Sequence, residues 1–158
     1  MNASTPAFSF HAEPLTEALY AELYPFLERE WEEVGVLKDK LVLKVDPVVI
    51  TALAKAGRLS IFTLRNHGNL VGYVVFTLSK HPKYSDTSWA FMFVWFLDPS
   101  VRGHYGIALR FMSFALKELK RAGVQFVNGA HRLGHAAAGR VMEAAGFEAY
   151  EIGYLKEL

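Results

Sequence analysis

"LDPSVRGHYGIALRFM", Leu97 to Met112, is the stretch on which the fold turns. It follows "WAFMFVWFL", an almost uninterrupted apolar run. Continuous apolarity implies a strand buried on both faces, hence one central to a sheet. It opens a segment in which Ala108, Phe111, Met112, Ala115 and Leu119 mark one helical face. A strand that ends in a glycine-containing turn and feeds directly into a helix exposes unpaired backbone N–H groups beside the positive end of the helix dipole. That combination is an anion site. Gly103 and Gly106 let the backbone approach a phosphate closely, and Ala108 keeps the next contact small. Arg102 and His104 stand ready to add charge at the rim.

Outward from this junction the chain alternates strand and helix patterns. "AFSFHA" alternates as a short strand. Pro14 opens a helix carrying Leu15, Ala18, Leu19 and Leu23 on one face. Pro25 is expected to break or bend it, with a second helical piece in "PFLEREWEEVG" and an extended linker at "VLKDKLVLKV". Asp46 and Pro47 cap "DPVVITALAKAG", which stops at Gly57. "RLSIFTLR" and "LVGYVVFTLS" read as a hairpin joined through "NHGN", and "HPKYSDT" as a longer loop. After the helix ending at Gly123 come a strand in "VQFVNGA", a helix in "HAAAGRVMEAAG" and a final strand in "FEAYEIGYLKEL". This order describes an α/β layered domain on a mixed sheet.

Composition narrows the function. The chain has 158 residues, a net charge of +1 and no cysteine. Disulfides, thiolate metal sites and a cysteine nucleophile are excluded. Neither sign of charge is concentrated, so electrostatics points to no nucleic-acid partner. The N-terminus lacks the basic start and apolar run of a signal peptide, and the apolar run above is half the length of a membrane helix. The expectation is one cytoplasmic domain spanning 1–158, with residues 1–6 a flexible N-terminus and no membrane association.

Three glycine-rich phosphate sites compete for the opening stretch. A nucleotide P-loop needs a Gly-Lys-Ser/Thr ending, which is absent. The dinucleotide fingerprint needs three spaced glycines after an early strand, whereas this stretch lies two-thirds along the chain. The third is the pyrophosphate loop of coenzyme A acyltransferases. "FLDPSVRGHYGIALRFM" resembles motif A of the GNAT superfamily of N-acetyltransferases, whose usual form is V-x-P-x-x-R-x-x-G-x-G/A. Gly146 and Phe147 resemble the Gly-Phe that closes that family's next-to-last helix, and the order of elements is similar from Phe8 onward. "EREWEEV", "KHPKY" and "YLKEL" are similar to a branch common among phage and prophage acetyltransferases. One departure stands out. Arg102 and Gly106 are four apart where the motif has three, so either one residue is inserted or Gly103 occupies the arginine's place, and Tyr105 falls inside the loop.

The resemblance implies a mixed, mostly antiparallel sheet with splayed central strands flanked by helices. It implies acetyl-CoA as cosubstrate, no metal, and direct attack of an amine on the thioester. Phe96, Leu97, Arg102, Gly103, His104, Tyr105, Gly106, Ile107 and Ala108 would contact the cofactor, with His135 in a polar position beside it. The Leu97 N–H, two residues before Pro99, is the candidate oxyanion donor. Glu30 and Glu33, at i and i+3 on the helix bordering the acceptor groove, are the candidate bases, although the same spacing suits a solvated acidic face. Met142 occupies the position of the family's usual tyrosine acid and cannot donate a proton. Tyr105, His131 and Tyr154 are the substitutes, each also readable as a packing or surface residue. Trp89, Phe91, Phe93 and Trp95 alternate along one strand face and read as core, with a channel for an apolar acceptor as the other option. Two functions remain open. One is an acetyltransferase acting on a primary amine, whether a small molecule or a protein lysine or N-terminus. The other is a catalytically weak or inactive relative that binds a host protein target. A homodimer is compatible with either.

Overall fold

The computed structural model describes residues 7–158, except for the side chain of Tyr105. The expected flexible segment, residues 1–6, lies outside the described residues. In chain order the elements are β1 (Phe8–Glu13), α1 (Glu17–Val34), α2 (Pro47–Lys55), β2 (Leu59–Asn66), β3 (Asn69–His81), β4 (Tyr84–Leu97), α3 (Pro99–Arg102), α4 (Tyr105–Arg121), β5 (Phe126–Asn128) and α5 (Ala136–Ala144). The strands form one sheet in sequence order, antiparallel from β1 to β4 and parallel between β4 and β5. This is the expected mixed, mostly antiparallel architecture.

The sheet separates two apolar layers. On one face Phe62, Leu64, Val74 and Phe76 pack against Phe111, Met112, Ala115 and Leu119 of α4 and Val141 of α5. On the other, Ile61, Tyr73, Val75, Val94 and Phe96 pack against Leu19 and Leu23 of α1. Sequence signals account for most boundaries. The Thr16 hydroxyl accepts from the Leu19 N–H at the start of α1, and the Asp46 carboxylate accepts from Val48 and Val49 at the start of α2. His67 (φ 48°) and Gly68 (φ 82°) turn β2 into β3. Two successive residues at positive φ are what a tight hairpin of this twist requires.

Four expectations are corrected. Helix α1 runs unbroken through Pro25, and it starts after Thr16, not at Pro14. Pro25 removes one donor, but burial of Leu19 and Leu23 on one side and the attachments of Arg29 and Glu33 on the other hold both halves in line. The segment "HPKYSDT" is no loop: β3 and β4 extend into it and turn at Pro82 and Lys83. The His81 ring packs 4.8 Å from both Tyr84 and Trp89, a cross-strand aromatic cluster that carries the ladder to its end. Residues 147–158 form no strand, because alternation produces a strand only where a partner edge completes the ladder. Tyr150, Ile152, Tyr154, Leu155 and Leu158 are accordingly exposed.

The fourth correction concerns the aromatic series on β4. The register with β3 slips by one residue between Val75/Val94 and Phe76/Met92, a β-bulge at Phe93. Side-chain parity inverts there. Ala90 and Met92 face α4 before the bulge, and Trp95 and Leu97 face it afterwards, while Val94 and Phe96 turn to α1. Trp95 therefore leaves the face occupied by Trp89 and Phe91.

Candidate functional site

The bulge lies where β4 parts from β5. Among the described residues these strands pair at Trp89–Phe126, Ala90–Val127 and Phe91–Asn128, and β4 continues to Leu97 without a described partner on that side. Asp98 N–H donates to the Val71 carbonyl (2.8 Å), which makes Phe96–Tyr73 a hydrogen-bonded pair and Leu97–Gly72 a non-hydrogen-bonded one. The N–H groups of Leu97 and Trp95 consequently point away from β3, into the cleft. The Leu97 carbonyl on that side accepts from Arg102 Nε (2.7 Å). On the α4 side of the strand, the Trp95 indole N–H is buried with no partner among the described residues. The cleft thus holds two backbone donors, the N–H groups of Leu97 and Trp95, that no described residue satisfies.

Beyond Leu97 the chain makes one helical turn, α3, before α4. Asp98 caps α3 through Ser100 N–H (2.9 Å) and is held by Arg29 (2.8 Å). Burial raises its carboxyl pKa, but hydrogen bonds from Ser100 and Arg29 outweigh this and leave it lowered. The extra residue noted in the motif is accommodated by α3, Gly103 and the cap residue His104. Gly103, His104 and Gly106 are exposed, and a side chain built on either glycine would meet nothing within 4 Å. That is open space at a helix start. Ile107 and Ala108, by contrast, are core residues whose N–H groups turn back to the His104 carbonyl (2.8 and 3.4 Å). Arg102 points away from the glycines. Its guanidinium lies 5.1 Å from the Phe96 ring centre and pairs with Glu33 (2.7 Å). The Tyr105 side chain lies outside the described residues.

The C-terminal half of α1 covers the end of β4. The Arg29 guanidinium lies 5.4 Å from the ring centres of both Phe26 and Phe96, and Arg132, from the β5–α5 connection, donates to the Val34 carbonyl (3.2 Å). The two candidate bases therefore differ. Glu33 is tied to Arg102, whereas Glu30 is half-buried without a hydrogen-bonded partner among the described residues. Burial raises the Glu30 pKa, Glu33 adds to the rise, and Arg132 opposes it. Tyr73 on β3 is buried beside them. Its hydroxyl has no hydrogen-bond partner among the described residues, and burial together with the Glu30 charge raises its pKa strongly.

The remaining candidates are dispersed. His135 is exposed and begins α5 without a side-chain cap, and Tyr154 is almost fully exposed. The His131 ring lies over Gly139, where a β-carbon would fall 2.6 Å from Nε2. Met142 is core, its methyl group filling the space above Gly129. Tyr73, Arg29 and Arg132 were not legible as site residues, and Trp95 was legible only as core or as part of a channel. Tyr73 sits in a run that reads as plain core, and nothing local in the chain predicts that Arg29 and Arg132 converge.

Neither a protein-family model nor a curated protein matches the chain. Its backbone is nevertheless similar to solved acetyltransferases. One is an aminoglycoside acetyltransferase from an uncultured soil metagenomic sample, in complex with sisomicin (12% identity, 96% of each chain, TM-score 0.74). Another is a predicted acetyltransferase with acetyl-CoA from Clostridium acetobutylicum (10% identity, 96% of each chain, TM-score 0.72). A third is a ribosomal-protein-alanine N-acetyltransferase from Brucella melitensis biovar Abortus 2308 (18% identity, 96% of this chain and 98% of that one, TM-score 0.70). At these identities the likeness is one of fold.

Proposed function

We propose that the protein is an acetyl-CoA-dependent N-acetyltransferase of the GNAT type, acting on a primary amine. The observation that carries this reading is the parting of β4 and β5 directly before a glycine-containing helix start. The cleft supplies the donors a thioester needs. The helix start supplies the open, positive end that a pyrophosphate needs. Phe96 and Leu97 would flank the acetyl group, Gly103, His104 and Gly106 the pyrophosphate, and His135 the opposite wall. Arg102 then acts at one remove, holding the Leu97 carbonyl and Glu33 in place.

In this reading Glu30 takes a proton from the incoming ammonium. A carboxylate whose pKa is raised toward neutrality is the better base for that task. The amine nitrogen bonds to the acetyl carbon, the Leu97 N–H steadies the developing oxyanion, and the carbon–sulfur bond breaks. Such a donor is worth about 3–4 kcal/mol of barrier. The thiolate leaves and takes up the second proton of the amine. With thiol pKa values near about 8.5, departure does not demand a dedicated acid, which accommodates Met142. Isothermal titration with acetyl-CoA tests the reading, followed by thiol release with a panel of amines. Micromolar binding and amine-dependent release are expected. A folded protein that binds no acetyl-CoA would refute it.

A further inference from the structure

A second opening lies on the α1 face of the sheet. Helix α2 stands over β2 without a single buried residue, and Val48 and Val49 are well exposed. Between it, α1 and β2 is a cavity of about 650 Å³, walled by Tyr20, Ile50, Ala54, Leu59 and Ile61 among others. It adjoins an apolar neck of about 60 Å³ that runs under Leu23 and Leu27 to Tyr73, Phe93 and Val94. The charged residues of the outer chamber are Glu17 and Lys55, one of each sign. A polycation would find no net attraction there.

The inner end is different. Tyr73 is 2% exposed and its ring forms part of the neck, whose exposed surface is wholly apolar, while its hydroxyl is buried behind that surface with no partner among the described residues. A buried phenol lacking a partner is costly and is expected to be satisfied by something that enters. Glu30 follows Leu27 by one helical turn on the same side of α1 and acts electrostatically on Tyr73. Phe93 and Val94, at the end of the neck, are the residues of the β4 bulge where the open edge begins. The inner end of the apolar seam thus lies beside the segment of β4 from which the cleft opens.

We propose that this seam is the acceptor pocket and that the acceptor is a primary amine carried on an apolar alkyl or aryl body. The body lies between α1 and α2, and a slender stem passes the neck, whose volume is about that of two water molecules. The amine passes the Tyr73 hydroxyl on its way to the thioester. The proposal rests on the acetyltransferase reading for the fate of the amine. The pocket itself is defined without it. Polyamines and aminoglycosides, which need several carboxylates, are disfavoured.

Calorimetric titration of the whole chain separates the two. The probes are n-hexylamine, 1-hexanol, spermidine and, independently, acetyl-CoA. Hexylamine is expected to bind about tenfold or more tightly than spermidine. Tyr73→Phe should weaken hexylamine about fivefold or more, the lower end for stranding one polar group, with acetyl-CoA affinity unchanged. Ala54→Trp, which fills the outer chamber from α2, should abolish hexylamine binding with no change for acetyl-CoA, and circular dichroism verifies folding. Tighter binding of spermidine, or hexylamine binding unaffected by Ala54→Trp, overturns the proposal. Acetyl-CoA binding without hexylamine binding also overturns it and leaves the enzyme reading standing. Hexylamine binding that obeys both variants, in a protein that ignores acetyl-CoA, upholds the pocket and removes the enzyme reading.

Discussion

Replacing Gly106 by glutamate drives two quantities in opposite directions. Gly106 is the second residue of α4, counted from the His104 cap, and a side chain there meets nothing within 4 Å. Its φ is not positive, so no backbone strain follows from adding a β-carbon. Glutamate in place of glycine gains about 0.5 kcal/mol of helix propensity. A negative charge in the first turn adds about 0.5 kcal/mol through the helix dipole. The free protein should therefore become about 1 kcal/mol more stable, a rise in Tm of about 2–4 °C for a chain of this size. The same carboxylate would stand at the proposed position of the pyrophosphate. Two like charges about 5 Å apart, at an effective dielectric constant of about 20, repel by about 3 kcal/mol, a loss of about a hundredfold in affinity. Differential scanning calorimetry reads the first effect and titration with coenzyme A the second. A stabilised variant that binds coenzyme A within threefold of the parent refutes the phosphate assignment. A variant destabilised by more than about 1 kcal/mol refutes the helix geometry from which both effects were derived.

Further outcomes are expected. Glu30→Gln should lower kcat/KM by about a hundredfold and remove the acid limb of its pH profile, a limb that lies above the ordinary carboxylate range because burial raises the Glu30 pKa. Glu33→Gln, whose carboxylate is already occupied by Arg102, should leave that limb in place. Pro25→Ala should restore a backbone donor inside α1 and stabilise the fold by about 1–3 kcal/mol, measured by urea denaturation. Acid should destabilise through Asp98 and Glu13. In each, burial raises the pKa and is outweighed, by Ser100 and Arg29 for Asp98 and by Arg65 and Thr63 for Glu13. Because both native values are lowered, their stabilisation is present above about pH 4 and is lost as pH falls through them. Urea midpoints at pH 6 and pH 3 measure the loss, and Arg65→Met should shrink it.

Much of the fold was legible because its causes are local. The cap at Asp46, the turn at His67–Gly68 and the apolar face of α4 each need only neighbours within a few residues, so residue type and spacing reveal them. The same holds for the junction from Leu97 to Met112, where a strand, a glycine-bearing turn and a helix are all local features. The continuity of α1 through Pro25 was hidden, because contacts on both sides of the proline, not propensity, maintain it. The parity of the β4 aromatics was also hidden, since a bulge is a property of two strands and Phe93 carries no mark of it. The missing final strand follows the same rule: alternation is written in one segment, but a ladder belongs to two. The chain therefore carries its own account of the turn proposed to receive the cosubstrate. The difference between Glu30 and Glu33, and the buried Tyr73 hydroxyl at the end of an unfilled seam, arise only when distant segments bring Arg102, Arg132 and α2 into place. Electrostatics and burial act through space, and that space is set by packing.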